Sequence, residues 1–105
     1  IKEVLKNIRA TAFNKLHMVI GMVRDKDISA VLALLPTEAA YYFCQPAIER
    51  AMPAADLAKE AGIKGLNGQY FPSVAEALAE ARNTASKDDM IFVGGSTFVV
   101  AEIVP

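Results

Sequence analysis

The sequence predicts an α/β domain: a mainly parallel sheet of at least four strands, covered by helices on both faces. Short apolar runs alternate regularly with segments whose apolar residues recur every three to four positions, and Pro, Gly or capping residues stand at most junctions. The third observation is size. The chain has 105 residues, 53% hydrophobic and 22% charged, which is enough for one core and far from the composition of disordered chains.

Ile1, Val4, Leu5, Ile8 and Ala12 line one face of a helix. No cap precedes Ile1, so this helix is expected to continue upstream, as in a domain truncated at its N-terminus. Leu16 to Val23 is a near-continuous apolar run, the pattern of a strand buried on both faces. Asp27 is placed to cap a helix on Ile28, Val31, Leu32 and Leu35 that must stop before Pro36. The aromatic run Ala40 to Cys44 reads as a strand ended by Gln45-Pro46. Pro53 suits the first turn of a helix through Leu57, Ala58 and Ala61, with a stop at Gly62. Residues 69–71 form a brief strand. Ser73 and Glu76 make a capping box for a helix carrying Val74, Ala77, Leu78, Ala81 and Ala85. Met90 to Val93 is the last apolar strand, and Gly94 to Thr97 turns into a segment with Val99, Val100 and Ile103 at helical spacing. The whole describes one three-layer, Rossmann-like domain with right-handed crossovers.

Eleven basic and twelve acidic residues leave a net charge of −1 with no basic cluster, which argues against nucleic-acid binding. No apolar stretch approaches the ~20 residues needed to cross a bilayer, so no membrane role is expected. The single Cys44 forms no internal disulfide, and with no secretory leader pattern a cytoplasmic setting is expected.

Ligands of open parallel sheets bind beyond the carboxyl ends of the strands, where strand order reverses. Two loops qualify. In the first, Arg24, Asp25, Lys26 and Asp27 crowd two cations and two carboxylates after the first strand. In the second, Gly94, Gly95, Ser96 and Thr97 offer a backbone anion cradle at the start of the expected last helix. Structural readings stand beside these: Asp27 and Ser96 as helix caps, and Arg24 and Lys26 as solvated charges. His17 reads as a sheet-end residue, Cys44 as a small buried hydrophobe, and Met18, Met22 and Met90 as core fillers. No phosphate loop and no metal-binding cluster is present, so no catalytic set is complete.

Five blocks carry a resemblance. They are His17 to Ile28, Phe43-Cys44-Gln45, Arg50 to Pro53, Ser73 to Ala77 and Phe92 to Glu102. In order and spacing they resemble the C-terminal domain of folylpolyglutamate and dihydrofolate synthases, enzymes of folate biosynthesis in the Mur ligase family. The resemblance implies a ligase that phosphorylates a carboxylate of dihydropteroate or a folate with ATP and Mg2+, then joins L-glutamate to it through the acyl phosphate. It further implies that nucleotide and metal are held by an N-terminal ATPase domain, so that this domain alone binds neither and is inactive. Lys26 and Asp27 match the family block after the first strand, Ser96 resembles a serine near the glutamate site, and Arg50 matches a family arginine. Glu49 stands where many relatives have proline. An Asp-Gly-Ala-His-Asn type block and its strand are missing before Ile1. The family's strand order is 90–93, 16–23, 40–44, 69–71, and loss of the upstream strand is expected to leave 90–93 with an open, self-associating edge. Two other readings remain: a stand-alone flavodoxin-like anion-binding module, and a Mur-type ligase acting on cell-wall precursors.

Overall fold

The computed structural model describes residues 14–24, 27–95 and 99–103. The helix expected on 1–12 lies outside them. Five strands form one sheet: β1 (Leu16–Gly21), β2 (Ala40–Cys44), β3 (Gly68–Phe71), β4 (Met90–Gly95) and β5 (Val99–Ile103). The helices are α1 (Ile28–Leu32), α2 (Ala54–Ile63) and α3 (Val74–Thr84). The sheet order is β3-β2-β1-β4-β5. The first four strands are parallel, in the order the family resemblance implies, and β5 runs antiparallel to β4.

β1 is central, and all six of its residues are buried, as its unbroken apolar run requires. Alternation along the strand divides the core in two. Met18 and Ile20 point to the face covered by Ile28 and Leu32 of α1 and Leu57 and Ala61 of α2, together with Phe43 and Phe92. Val19 points to the other face, with Tyr42, Ile91 and the two alanines Ala77 and Ala81 of α3. Both alanines are fully buried, and their small side chains at i and i+4 let α3 lie close on the sheet. Fully burying each of the large residues contributes about 1.5–3 kcal/mol.

The caps form at the expected residues, with one change. The Asp27 carboxylate accepts from the Ala30 amide at 3.1 Å, and Ser73 Oγ accepts from the Glu76 amide at 3.2 Å. The Glu76 carboxylate takes the Ser73 hydroxyl hydrogen at 3.0 Å, where a full capping box would have it take the Ser73 amide.

Several boundaries move, each for a local reason. β1 leaves the sheet at Gly21, and Met22 and Val23 pair instead with the segment before α2. α1 is regular only to Leu32, and tighter turns carry the chain to Leu35 and the helix-incompatible Pro36. α2 passes through Gly62 and stops at Gly65. Gly65 adopts φ +82°, which only glycine takes at little cost, and the Leu66 amide closes the end on the Ala61 carbonyl at 2.9 Å. β3 begins one residue early at Gly68, and β4 runs on through Gly94 and Gly95.

The largest correction concerns the last segment. Residues 99–103 form β5 and not a helix, pairing Val99 with Gly94 and Ile103 with Met90. Three of the five residues are β-branched, which favours a pleated strand once a partner edge exists. β5 therefore covers the flank of β4 that was expected to lie open, and the premise for self-association along 90–93 does not hold. Among the described residues no helix is long and apolar enough to cross a membrane.

Candidate functional site

Parallel strands place the ends of β1 and β4 side by side, with Ile20 opposite Gly94 and Gly21 opposite Gly95. Strand order reverses here, since β2 and β3 extend to one side of β1 and β4 to the other. The chain following β1 and the chain following β4 therefore leave from one rim, the location that favours ligands in such sheets.

A short antiparallel bridge shapes this rim. Val23 opposes Ala51. The Arg24 amide donates to the Arg50 carbonyl at 2.9 Å, and the Met52 amide donates to the Met22 carbonyl at 2.8 Å. This register sets Arg24 directly opposite Arg50, both exposed, so two arginines far apart in the sequence share one rung beside the bridge. Such a pair suits an anion, because each planar fork can donate two parallel hydrogen bonds to a carboxylate or phosphate. Asp27 lies exposed at the start of α1 with its carboxylate engaged as the cap.

Of the residues singled out in the sequence, Arg24, Asp27, Arg50, Gly94 and Gly95 thus gather at this end of the sheet. Lys26, Ser96 and Thr97 lie outside the described residues. Gly94 and Gly95 are the last two residues of β4, and the segment expected as a helix beyond them is β5. Among the described residues no group of three His, Cys, Asp or Glu could hold a metal ion. Cys44 is fully buried, and burial pushes its thiol up to about 11, which removes the thiolate a nucleophile needs.

The other end of the sheet holds what sequence reasoning missed. His17 is 1% exposed and Asp89 4%. His17 Nε2 lies 2.8 Å from Asp89 Oδ2, and Nδ1 lies 2.9 Å from the Tyr42 hydroxyl. In the neutral imidazole the carboxylate takes the Nε2 hydrogen, which leaves Nδ1 to accept from Tyr42. Asp89 also accepts from the Ser86 amide at 2.9 Å and the Lys15 amide at 3.1 Å. The Ser86 amide first, and then His17, hold its carboxyl below the usual range, while burial pushes the Tyr42 phenol up. Asp88 takes φ +70° in the turn that delivers Asp89. No spacing rule links His17 to a carboxylate 72 residues away, so only the fold reveals this network.

A family model described as Mur ligase, glutamate ligase domain, matches residues 1–97. The dihydrofolate synthase/folylpolyglutamate synthase of Escherichia coli is 36% identical over 105 residues, covering 98% of this chain and 22% of that protein. A probable bifunctional folylpolyglutamate synthase/dihydropteroate synthase of Halobacterium salinarum is 35% identical over 104 residues, covering 94% of this chain and 12% of the relative. The structure of E. coli FolC in complex with DHPP and ADP matches with a TM-score of 0.77 at 31% identity, over 88% of this chain and 22% of that one. The chain thus spans less than a quarter of the length of these relatives. They are folate synthases, which favours that reading over the cell-wall ligases and the stand-alone module. By a family match running from residue 1 to 97 and a shared fold, the chain belongs to the Mur ligase family as a glutamate ligase domain.

Proposed function

We propose that this chain is the C-terminal domain of an ATP-dependent ligase that joins L-glutamate to dihydropteroate or a folate through an acyl phosphate. The observation that carries the reading is the rim itself, where Arg24 and Arg50 oppose each other beside the ends of β1 and β4 in a domain similar to folate synthases. Their forks supply anion recognition, for the glutamate carboxylates or part of the nucleotide. Lys26 and Ser96 join this reading only through their match to the family blocks. By the family resemblance, the Mg2+ that accompanies ATP is assigned to a preceding ATPase domain. Millimolar binding already needs about 4 kcal/mol, and exposed, solvent-screened guanidinium groups supply only part of that outside a closed cleft. This domain alone therefore holds neither substrate firmly and acts by completing a cleft.

The test is ligation by the full-length protein, with dihydropteroate and with tetrahydrofolate as acceptors. Glutamate-dependent ADP release with one or both is expected, and none from residues 1–105 alone. Arg24→Ala and Arg50→Ala should each lower kcat/KM by roughly 10- to 100-fold, the scale of losing a charge-assisted pair. Absence of ligation with either acceptor would overturn the reading.

A further inference from the structure

Gly21 is the last residue of β1, three positions before Arg24. A Cβ built there would lie 2.9 Å from both Cδ and Cγ of Pro46 and 3.2 Å from the Cys44 carbonyl oxygen. Neither neighbour yields easily: Pro46 presents a buried, rigid ring, and the carbonyl belongs to β2. Pro46 also opens the loop that ends in Arg50. The Ile48 amide donates to the Pro46 carbonyl at 2.9 Å and the Ala51 amide to the Ile48 carbonyl at 3.2 Å, so two tight turns connect Pro46 to the bridge.

We propose that Gly21 is a positioning residue for the rim: its missing side chain lets the Pro46 ring rest on the end of β1, and that contact sets Arg50 opposite Arg24. The inference rests on the reading of the rim as an anion-binding surface. A methyl group at position 21 pushes Pro46 outward, the compact loop passes the shift to Arg50, and the two arginines lose their common spacing. Misplacement of a binding group by about 1 Å costs up to roughly 100-fold in rate.

The experiment uses the full-length protein with Gly21→Ala, Pro46→Ala and the double variant. Hydrogen exchange is read at the Arg24 and Met52 amides, and KM and kcat are measured for glutamate and ATP. Gly21→Ala should speed exchange at both amides by about tenfold or more and raise KM for glutamate or ATP on the order of tenfold, with kcat within about threefold. Pro46→Ala should loosen the same two amides and leave Val19 protected. The double variant should return KM to the Pro46→Ala level, because the smaller residue leaves room for the new methyl group. Wild-type exchange at Arg24 and Met52 in Gly21→Ala, an unchanged KM, or a double variant worse than Gly21→Ala would each overturn the proposal. Should Gly21→Ala lose protection throughout β1, Pro46→Ala alone decides: selective loosening of Arg24 and Met52 supports the role, and wild-type exchange there overturns it. A wild-type protein without glutamate-dependent activity sinks the functional reading, and the exchange measurement still decides whether Gly21 sets the bridge.

Discussion

At the amino end of the sheet a buried imidazole, carboxylate and phenol tie β1, β2 and the turn before β4 together, whereas at the carboxyl end two exposed arginines stand opposite each other beside one isolated bridge. Both ends are polar, yet their polar groups serve different ends. His17, Asp89 and Tyr42 satisfy one another away from water, and no buried side-chain polar atom among the described residues lacks a partner. Arg24 and Arg50 are exposed, and it is their backbones that form the bridge. One end buries its polar groups against one another, and the other keeps two arginines exposed at the surface.

The contrast between the ends is tested most severely by His17→Ala. This substitution leaves the Tyr42 hydroxyl and the Asp89 carboxylate short of a partner and opens a cavity, so it should cost about 3 kcal/mol or more in urea unfolding. A loss below about 1 kcal/mol would show that the His17 network does not hold the amino end of the sheet together.

Acid offers a second test. In the folded protein the Asp89 carboxyl is held below its ordinary value, chiefly by the Ser86 amide and then by His17. The ionised form is therefore favoured by folding. The stability it contributes is complete above the unfolded value of about 3.9 and is lost as pH falls through the lower, folded one. Thermal melts from pH 6 down to pH 2 should fall steeply at the acid end for the wild type and less steeply for Asp89→Asn. Parallel curves would mean that other carboxylates dominate acid unfolding.

The smallest expected effect lies at the carboxyl end. Asp27→Ala should cost about 1 kcal/mol through loss of the cap, and Asp27→Ser should restore most of it. If Asp27→Ser restores stability but ligation by the full-length protein stays impaired, the carboxylate contributes more than a cap. If both return together, the cap is the whole of its role.

Features set by near neighbours in the chain were legible in the sequence. Asp27 and Ser73 cap where their surroundings indicate, the strand at 40–44 is reproduced, and the buried run from Leu16 occupies the centre of the sheet. What escaped depends on partners distant in the chain. Val99, Val100 and Ile103 fall at helical spacing, yet as β-branched residues they also suit a strand, and the free flank of β4 decided between the two. Gly62 and Gly65 both resemble helix stops, and only the positive φ of Gly65 identifies the one in use. At the candidate site the order of the strands put Arg24, Asp27 and the glycines on one rim, as the resemblance implied. The pairing of Arg24 with Arg50 and the approach of Pro46 to Gly21 could not be read from spacing, because both arise where a loop folds back on the end of a strand.

The central place of β1 also bears on how the chain reaches its native state. Its partner on one side, β2, follows about 25 residues later, but Asp89, which heads its partner on the other, follows only after 72. A ribosome adding roughly 5–20 residues per second would leave the apolar edge of β1 without its second neighbour for several seconds, long enough for a chaperone or another nascent chain to meet it first.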